Sequence, residues 1–326
     1  MFMYTNRSLR RAHPYIFISR LALLLTAPLL FALIVASALV FTVQTRNDLY
    51  LPLTGSNPHN DAVQVFDSDT SAFTPEAAEV LYIKAFDGTA LCSLIWRKSD
   101  CHKWAIVAHG YSNDYNVMLN FGKRFYYGGY NVLMPDLRGH GKSGSDLIGM
   151  GWTDRFDIIC WIDRITEYDD QAQIVLYGIS MGADAVLSAC GEDGLPGNVF
   201  AAISDCAFTS TSGIVSYHIK MDLGLPAFPF IDLADALSSL FIGYGWKESS
   251  ALEQVKKSSV PTLFIHGGGD SFVPTAMCYE LFSAASCNKA LLVIEGAGHA
   301  ASAAENPEVY WDSIFTFINR FDPGAA

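Results

Sequence analysis

Residues 21 to 43 carry no charged side chain and form a continuous apolar run of 23 positions, enough for a helix to cross a hydrocarbon layer of ~30 Å. Pro28 falls near its start, where local adjustment satisfies the carbonyl it frees. Arg7, Arg10, Arg11 and Arg20 precede the run, with no acid among them. The positive-inside rule then predicts a cytoplasmic N-terminus over 1–20, a single transmembrane anchor over 21–43, and the rest of the chain outside the cytoplasm. AlaSerAla at 36–38 offers the alternative of a cleaved signal peptide and a secreted product. The apolar stretch, however, continues through Leu39, Val40, Phe41 and Val43 and exceeds the usual h-region of about 7 to 15 residues. An uncleaved anchor is the preferred reading.

Beyond the anchor the periodicity changes. Residues 47–78, polar and interrupted by Pro and Gly, read as a stalk with few apolar contacts to offer. A domain over 79–322 opens on ValLeuTyrIleLysAlaPhe and ThrAlaLeuCysSerLeuIleTrp joined at AspGly, a hairpin signal. Short apolar runs centred near 106, 133, 175, 202, 263 and 292 then alternate with helical patterns near 114–127, 152–168, 181–190, 275–286 and 307–320. Continuous apolar strands alternating with helices predict an α/β fold, its mostly parallel sheet covered on both faces.

Residues 207–250 break the alternation. They are rich in apolar residues, Pro and Gly and carry a short amphipathic helical pattern from Leu233. This insertion reads as a small cap, with Phe208, Tyr217, Leu225, Phe228, Phe230 and Phe241 expected to supply pocket walls for an apolar acyl or aromatic group. A packed helical hairpin that never meets substrate is the bland alternative.

Charge narrows the partners. The five basic residues within 1–46 leave 16 Lys and Arg against 33 acids in the remainder, a net −17. Such a surface repels nucleic acid and gains nothing from anionic headgroups. Seven cysteines is an odd number for an exported chain. Cys92 and Cys101, near facing ends of two predicted strands, are the first candidates for a bridge and Cys278 with Cys287 the second. Cys160, Cys190 and Cys206 read as buried space-fillers. The chain has neither HExxH nor paired CxxC spacing, so no metal or other cofactor is expected.

The chemistry concentrates at LeuTyrGlyIleSerMetGly, residues 176–182, where a strand runs into GxSxG with Ser180 at its centre. Glycines flank a tight strand-to-helix turn that lifts the serine above the sheet, and the following helix aims its amides at a developing oxyanion. GxSxG alone is also compatible with a plain Gly-rich turn, so its setting matters. A serine nucleophile needs an acid and a base, following in the order Ser, Asp or Glu, His. HisGlyGlyGlyAsp ends a strand at Asp270, and GlyAlaGlyHis places His299 in the loop after another.

With HisGlyTyr at 109–111, AspLeuArgGlyHisGlyLysSer at 136–143 and GlyHis at 298–299, the chain resembles the α/β-hydrolase superfamily over roughly residues 80–320. The nearest resemblance is to bacterial membrane-anchored members related to serine aminopeptidase-like and prolyl-oligopeptidase-like hydrolases. That resemblance implies Ser180 as nucleophile, Asp270 as orienting acid and His299 as general base, with backbone amides of Tyr111 and Met181 forming an oxyanion hole. Hydrolysis of carboxylic esters is the expected reaction, because esters need less leaving-group assistance than amides, the substrate being a small acyl ester or a short peptide. A serine peptidase or acylaminoacyl hydrolase is the alternative, with thioesterase, lipase and acyltransferase chemistry behind it. An inactive fold serving as a surface binding module is the alternative of another class. Asp205, at a strand end, is the rival acid, while His109, His140 and His266 read as structural.

Overall fold

The computed structural model describes residues 13–46 and 73–324; the expected stalk therefore falls mainly outside the described residues. Its last part, from Phe73, packs on the domain, with the Phe73 ring stacked on Trp96 at 4.1 Å.

Eight strands form one sheet in the order β1-β2-β4-β3-β5-β6-β7-β8. β1 (Glu79–Lys84) and β2 (Ala90–Trp96) are the antiparallel hairpin, and β2 also runs antiparallel to β4 (Asn131–Pro135). β3 (Lys103–Ala108), β5 (Gln173–Ile179), β6 (Val199–Asp205), β7 (Thr262–Gly267) and β8 (Lys289–Ile294) pair in parallel, as does β3 with β4. β6 and β7 are buried throughout and β5 past its first residue, while β1 alternates between exposed and half-buried positions, which is why the former read as unbroken apolar runs.

Successive side chains feed opposite faces of the sheet. Trp104, Ile106 and Leu176 join the core beneath α3 (Asp154–Tyr168) and α4 (Met181–Cys190). Ala105, Val107 and Tyr177 join the other, beneath α2 (Leu119–Tyr127) and α10 (Pro307–Phe321). α7 (Ala251–Val255), α8 (Thr275–Ala284) and α9 (Ser302–Glu305) complete the helices around the sheet. Element positions expected from the apolar pattern match those observed. The insertion contains two helices rather than one, α5 (Thr211–Leu223) and α6 (Phe230–Phe241). Its first helix has almost no segregation of polar from apolar positions, so periodicity could not reveal it.

α1 (His13–Gln44) is built into the domain over its last turns. Ala32, Ala36, Leu39, Val40 and Val43 form a buried stripe at helical spacing and belong to the same core as Phe230, Ile231 and Ala234 of α6. The Gln44 carbonyl accepts from Ile148 N at 3.0 Å, and Arg46 N donates to the Asp146 carbonyl at 2.8 Å. The Gln44 side chain, fully buried, accepts through Oε1 from Ser238 Oγ at 2.8 Å and Trp246 Nε1 at 2.7 Å.

All seven cysteines are free thiols, which corrects both expected bridges. β4 lies between β2 and β3, so the strands carrying Cys92 and leading from Cys101 are not neighbours. Cys101 instead directs its sulfur to the Gly129 carbonyl at 3.2 Å. Cys278 is buried on α8 and Cys287, beyond that helix, is half-buried, each as a free thiol.

Candidate active site

β5 ends at Ile179 and α4 begins at Met181, leaving Ser180 as the single residue of the turn, at φ 54° and ψ −121°. A non-glycine residue pays for such backbone only where its surroundings fix it. Here they do: Ser180 N donates to the Asp205 carbonyl at 2.8 Å, and Asp184 N donates to the Ser180 carbonyl at 3.0 Å. The flanking glycines are required by crowding. A Cβ on Gly178 would collide with the Gly182 carbonyl, and one on Gly182 with the carbonyls of Ala108 and His109. Met181 opens α4, so its amide is among the first-turn donors without an intrahelical acceptor.

His299 Nε2 lies 3.0 Å from Ser180 Oγ, and His299 Nδ1 lies 2.7 Å from Asp270 Oδ2. The carboxylate accepts the Nδ1 proton, which leaves the Nε2 lone pair facing the serine hydroxyl. Asp270 Oδ1 accepts from the amides of Phe272 and Val273, each at 2.9 Å. Ser180 is 3% exposed, and Asp270 and His299 are buried with it. Thus three positions separated by 90 and 29 residues meet in one hydrogen-bonded row.

His266 adds a contact that its spacing in HisGlyGlyGlyAsp could have suggested. Its Nε2 lies 3.2 Å from Asp270 Oδ2 and 2.9 Å from the Val273 carbonyl. Burial acts to lower the His266 pKa, but the bonds to Asp270, Cys278 and the Val273 carbonyl together outweigh it and lift the value to about 10. Burial likewise acts to raise Asp270, and the bonds from His266 and His299 reverse that, holding the carboxyl well below its ordinary range. Asp205 is engaged elsewhere: Tyr310 Oη donates to its Oδ2 at 2.7 Å, and Tyr177 Oη lies 2.6 Å from Tyr310 Oη. Burial pushes the Asp205 pKa up to about 6 despite the tyrosine bond. Cys206 completes the surroundings, its Sγ within 4.8 Å of the ligand atoms of Asp270 and His299. Burial pushes this thiol well up, so it stays protonated.

The loop after β3 is clamped by two neutral histidines. His109 Nδ1 donates to the Gly110 carbonyl at 2.7 Å while its Nε2 accepts from Leu137 N at 2.9 Å. His140 Nδ1 donates to the Arg138 carbonyl at 2.9 Å, and its Nε2 accepts from Ser112 N at 3.1 Å. Burial lowers His140 to about 4, consistent with an acceptor nitrogen. Tyr111, between these clamps, sends its hydroxyl to the Thr42 carbonyl of α1 at 2.9 Å.

The residues expected to wall a pocket divide. Phe208 is buried beside α4, its amide donating to Asp184 Oδ2 at 3.0 Å. Tyr217 donates its hydroxyl to the Ser271 carbonyl at 3.0 Å, next to Asp270. Leu225 is half-buried. Phe230 faces α1, with its ring 6.1 Å from Phe31. Phe228 and Phe241 are exposed on the cap surface. Sequence reading missed Phe272, whose ring lies 4.8 Å from His299, and His218, whose ring lies 4.7 Å from Phe272. A separate cleft of about 400 Å³, lined in part by Trp152, Arg155 and Tyr244, has none of Ser180, Asp270 and His299 in its walls.

An eight-stranded, mostly parallel sheet with a serine on a strained strand–helix turn defines an α/β-hydrolase fold. The comparisons with known proteins agree with this fold. A family model described as serine aminopeptidase, S33, matches residues 100–216. The uncharacterized protein YqkD of Bacillus subtilis is 28% identical over 218 residues, covering 67% of this chain and 71% of that protein. Among solved structures, the Pyrococcus furiosus esterase Pf2001 superimposes with a TM-score of 0.62 at 21% identity, over 79% of this chain and 97% of that one. The Pyrococcus horikoshii acylaminoacyl peptidase superimposes with a TM-score of 0.56 at 18% identity, over 75% of this chain and 41% of that one.

Proposed function

We propose that the protein is a membrane-anchored serine hydrolase that cleaves carboxylic esters through an acyl-enzyme, with its catalytic domain outside the cytoplasm. The observation that carries this reading is the row Ser180 Oγ, His299 Nε2, His299 Nδ1, Asp270 Oδ2, at 3.0 and 2.7 Å. His299 takes the serine proton as Oγ attacks the ester carbonyl, and Asp270 stabilises the imidazolium that results. The amides of Met181 and Tyr111 receive the oxyanion; each such donor is worth ~3 to 4 kcal/mol of transition-state stabilisation. His299 then returns its proton to the departing alcohol, and water, deprotonated by the same imidazole, releases the acid.

Esters need less help for the leaving group than amides do, and the cap restricts access by large polymers. The family description supports aminopeptidase-type cleavage as the second reading. α1 is apolar and long enough to cross a membrane by length and composition; the arginines before it support an uncleaved anchor with a cytoplasmic N-terminus.

The test is turnover of p-nitrophenyl esters and aminoacyl p-nitroanilides by the full chain, with fluorophosphonate labelling alongside. Ser180→Ala should abolish labelling and ester turnover while leaving the melting temperature within a few degrees. Labelling that survives in Ser180→Ala overturns the nucleophile, and turnover confined to the anilides moves the assignment to a peptidase.

A further inference from the structure

The cap presents apolar side chains to solvent where it continues α1. Met221 and Leu223 end α5, Phe228 stands in the connector at 74% exposure, and Leu240 at 74% and Phe241 end α6. On α6, Leu233, Ala236, Leu237 and Leu240 share one flank, while Asp232, Asp235 and Ser239 share the other. A contiguous exposed apolar surface on a water-soluble domain marks a contact with something else.

Helix lengths identify that contact. α6 runs beside α1 from Phe31, where it meets Phe230, to Gln44, where it meets Ser238. That is about 20 Å of α1 at ~1.5 Å per residue. The uncharged run begins at residue 21, so if the bilayer stopped short of α6, only residues 21–30 would lie within it, about 15 Å against the ~30 Å of a hydrocarbon core. α1 therefore cannot span a membrane without carrying the start of α6 and the α5–α6 connector into the apolar layer beside it. The connector points toward the N-terminal end of α1, the deeper end of the span. Of the carboxylates adjoining this surface, Asp232 is paired with Lys247 at 2.7 Å and Asp222 lies 3.2 Å from His218 Nδ1.

The same elements border the candidate active site. α5 reaches the triad histidine through His218 and Phe272, and α1 reaches the loop of Tyr111 through Thr42. We propose that the tip of the cap, residues 221–229 with the apolar flank of α6, is seated in the outer half of the bilayer, and that the enzyme draws from the membrane an acyl ester whose apolar tail resides there. This rests on reading α1 as a membrane span and deepens the ester-hydrolase reading by naming its substrate class. The net −17 of the chain beyond residue 46 leaves apolar insertion, rather than attraction to anionic headgroups, as the source of the contact.

The full chain reconstituted in phosphatidylcholine vesicles tests both halves. With lipids brominated on their acyl chains, the tryptophan added by Phe228→Trp should lose at least half of its emission. Emission of that tryptophan unchanged by brominated lipid overturns the membrane seat, and this readout requires no turnover. The double variant Met221→Glu with Leu240→Glu should hydrolyse a long-chain ester dissolved in the vesicles at least tenfold more slowly than wild type. Its rate on water-soluble p-nitrophenyl acetate, which also reports that it has folded, should stay within twofold. Wild-type rates on both esters would overturn the route from the membrane. Quenching without turnover of either ester by the unsubstituted protein would sink the hydrolase reading and the substrate route, leaving the membrane seat standing.

Discussion

The Tyr111 hydroxyl donates to the Thr42 carbonyl at 2.9 Å, so the loop proposed to hold the oxyanion is tied to the last turn of α1. Arg46 extends the tie, donating to the carbonyls of Gly141 at 2.7 Å and Ser143 at 3.1 Å, in the turn that His140 braces. A helix apolar and long enough to cross a membrane thus also serves as a structural member of the domain.

Gln44→Leu should expose the cost of that arrangement. Gln44 Oε1 is an acceptor shared by Ser238 and Trp246, and removing it leaves the Trp246 N–H buried without that partner, a loss of about 1 to 3 kcal/mol. Thermal unfolding of the reconstituted protein should show a melting temperature several degrees lower. A melting temperature equal to wild type would mean that α1 is not docked as described. By the same argument, a chain beginning at residue 47 should aggregate, because it uncovers Phe230, Ile231 and Ala234.

The two candidate acids separate by substitution. Asp270→Asn should lower kcat by roughly 10⁴, since an amide cannot hold the required imidazole tautomer, while Asp205→Asn should leave kcat within a fewfold. Steady-state kinetics on p-nitrophenyl acetate decides it, and the reverse pattern would transfer the role to Asp205.

Asp205 also predicts a pH dependence of stability. Its pKa is raised by burial to about 6 from an ordinary 3.8, so the folded state prefers the protonated form. The associated stability is present below the unfolded value and is lost as pH rises through about 6, on the order of 3 kcal/mol at 1.36 kcal/mol per unit. Asp205→Asn removes this titration. The melting temperature of the variant relative to wild type should therefore rise between pH 4 and pH 7, and a flat difference would contradict the shift.

Gly182→Ala places a methyl group against the carbonyls of Ala108 and His109, backbone atoms that cannot swing aside. Either the turn bearing Ser180 moves or the protein fails to fold. Circular dichroism melting should show a drop of more than ten degrees, or no soluble protein should be recovered; a stability matching wild type would show that the approach of α4 to β3 is looser than described.

The order of strands and helices was legible because each central strand is buried on both faces and so reads as an apolar run. Ser180, Asp270 and His299 were legible as candidates because each stands beyond a strand end beside glycines, which crowding requires at Gly178, Gly182 and Gly267, a local requirement that marks the sequence. What packs behind them was not. Tyr310 on Asp205 and Phe272 on His299 involve residues whose types suit any core, and the sequence carries no sign of which neighbours they meet. The bridge expected between Cys92 and Cys101 failed for a related reason: strands adjacent in sequence need not be adjacent in the sheet, and β4 takes the place between β2 and β3. Local composition determined the apolar length of α1, the α/β alternation and the candidate reacting residues, because these depend on periodicity and turn chemistry within a few residues. Only the tertiary structure decided that α1 and α6 pack side by side and that the exposed side chains of the cap gather next to them, because such contacts join segments about 200 residues apart through shape rather than pattern.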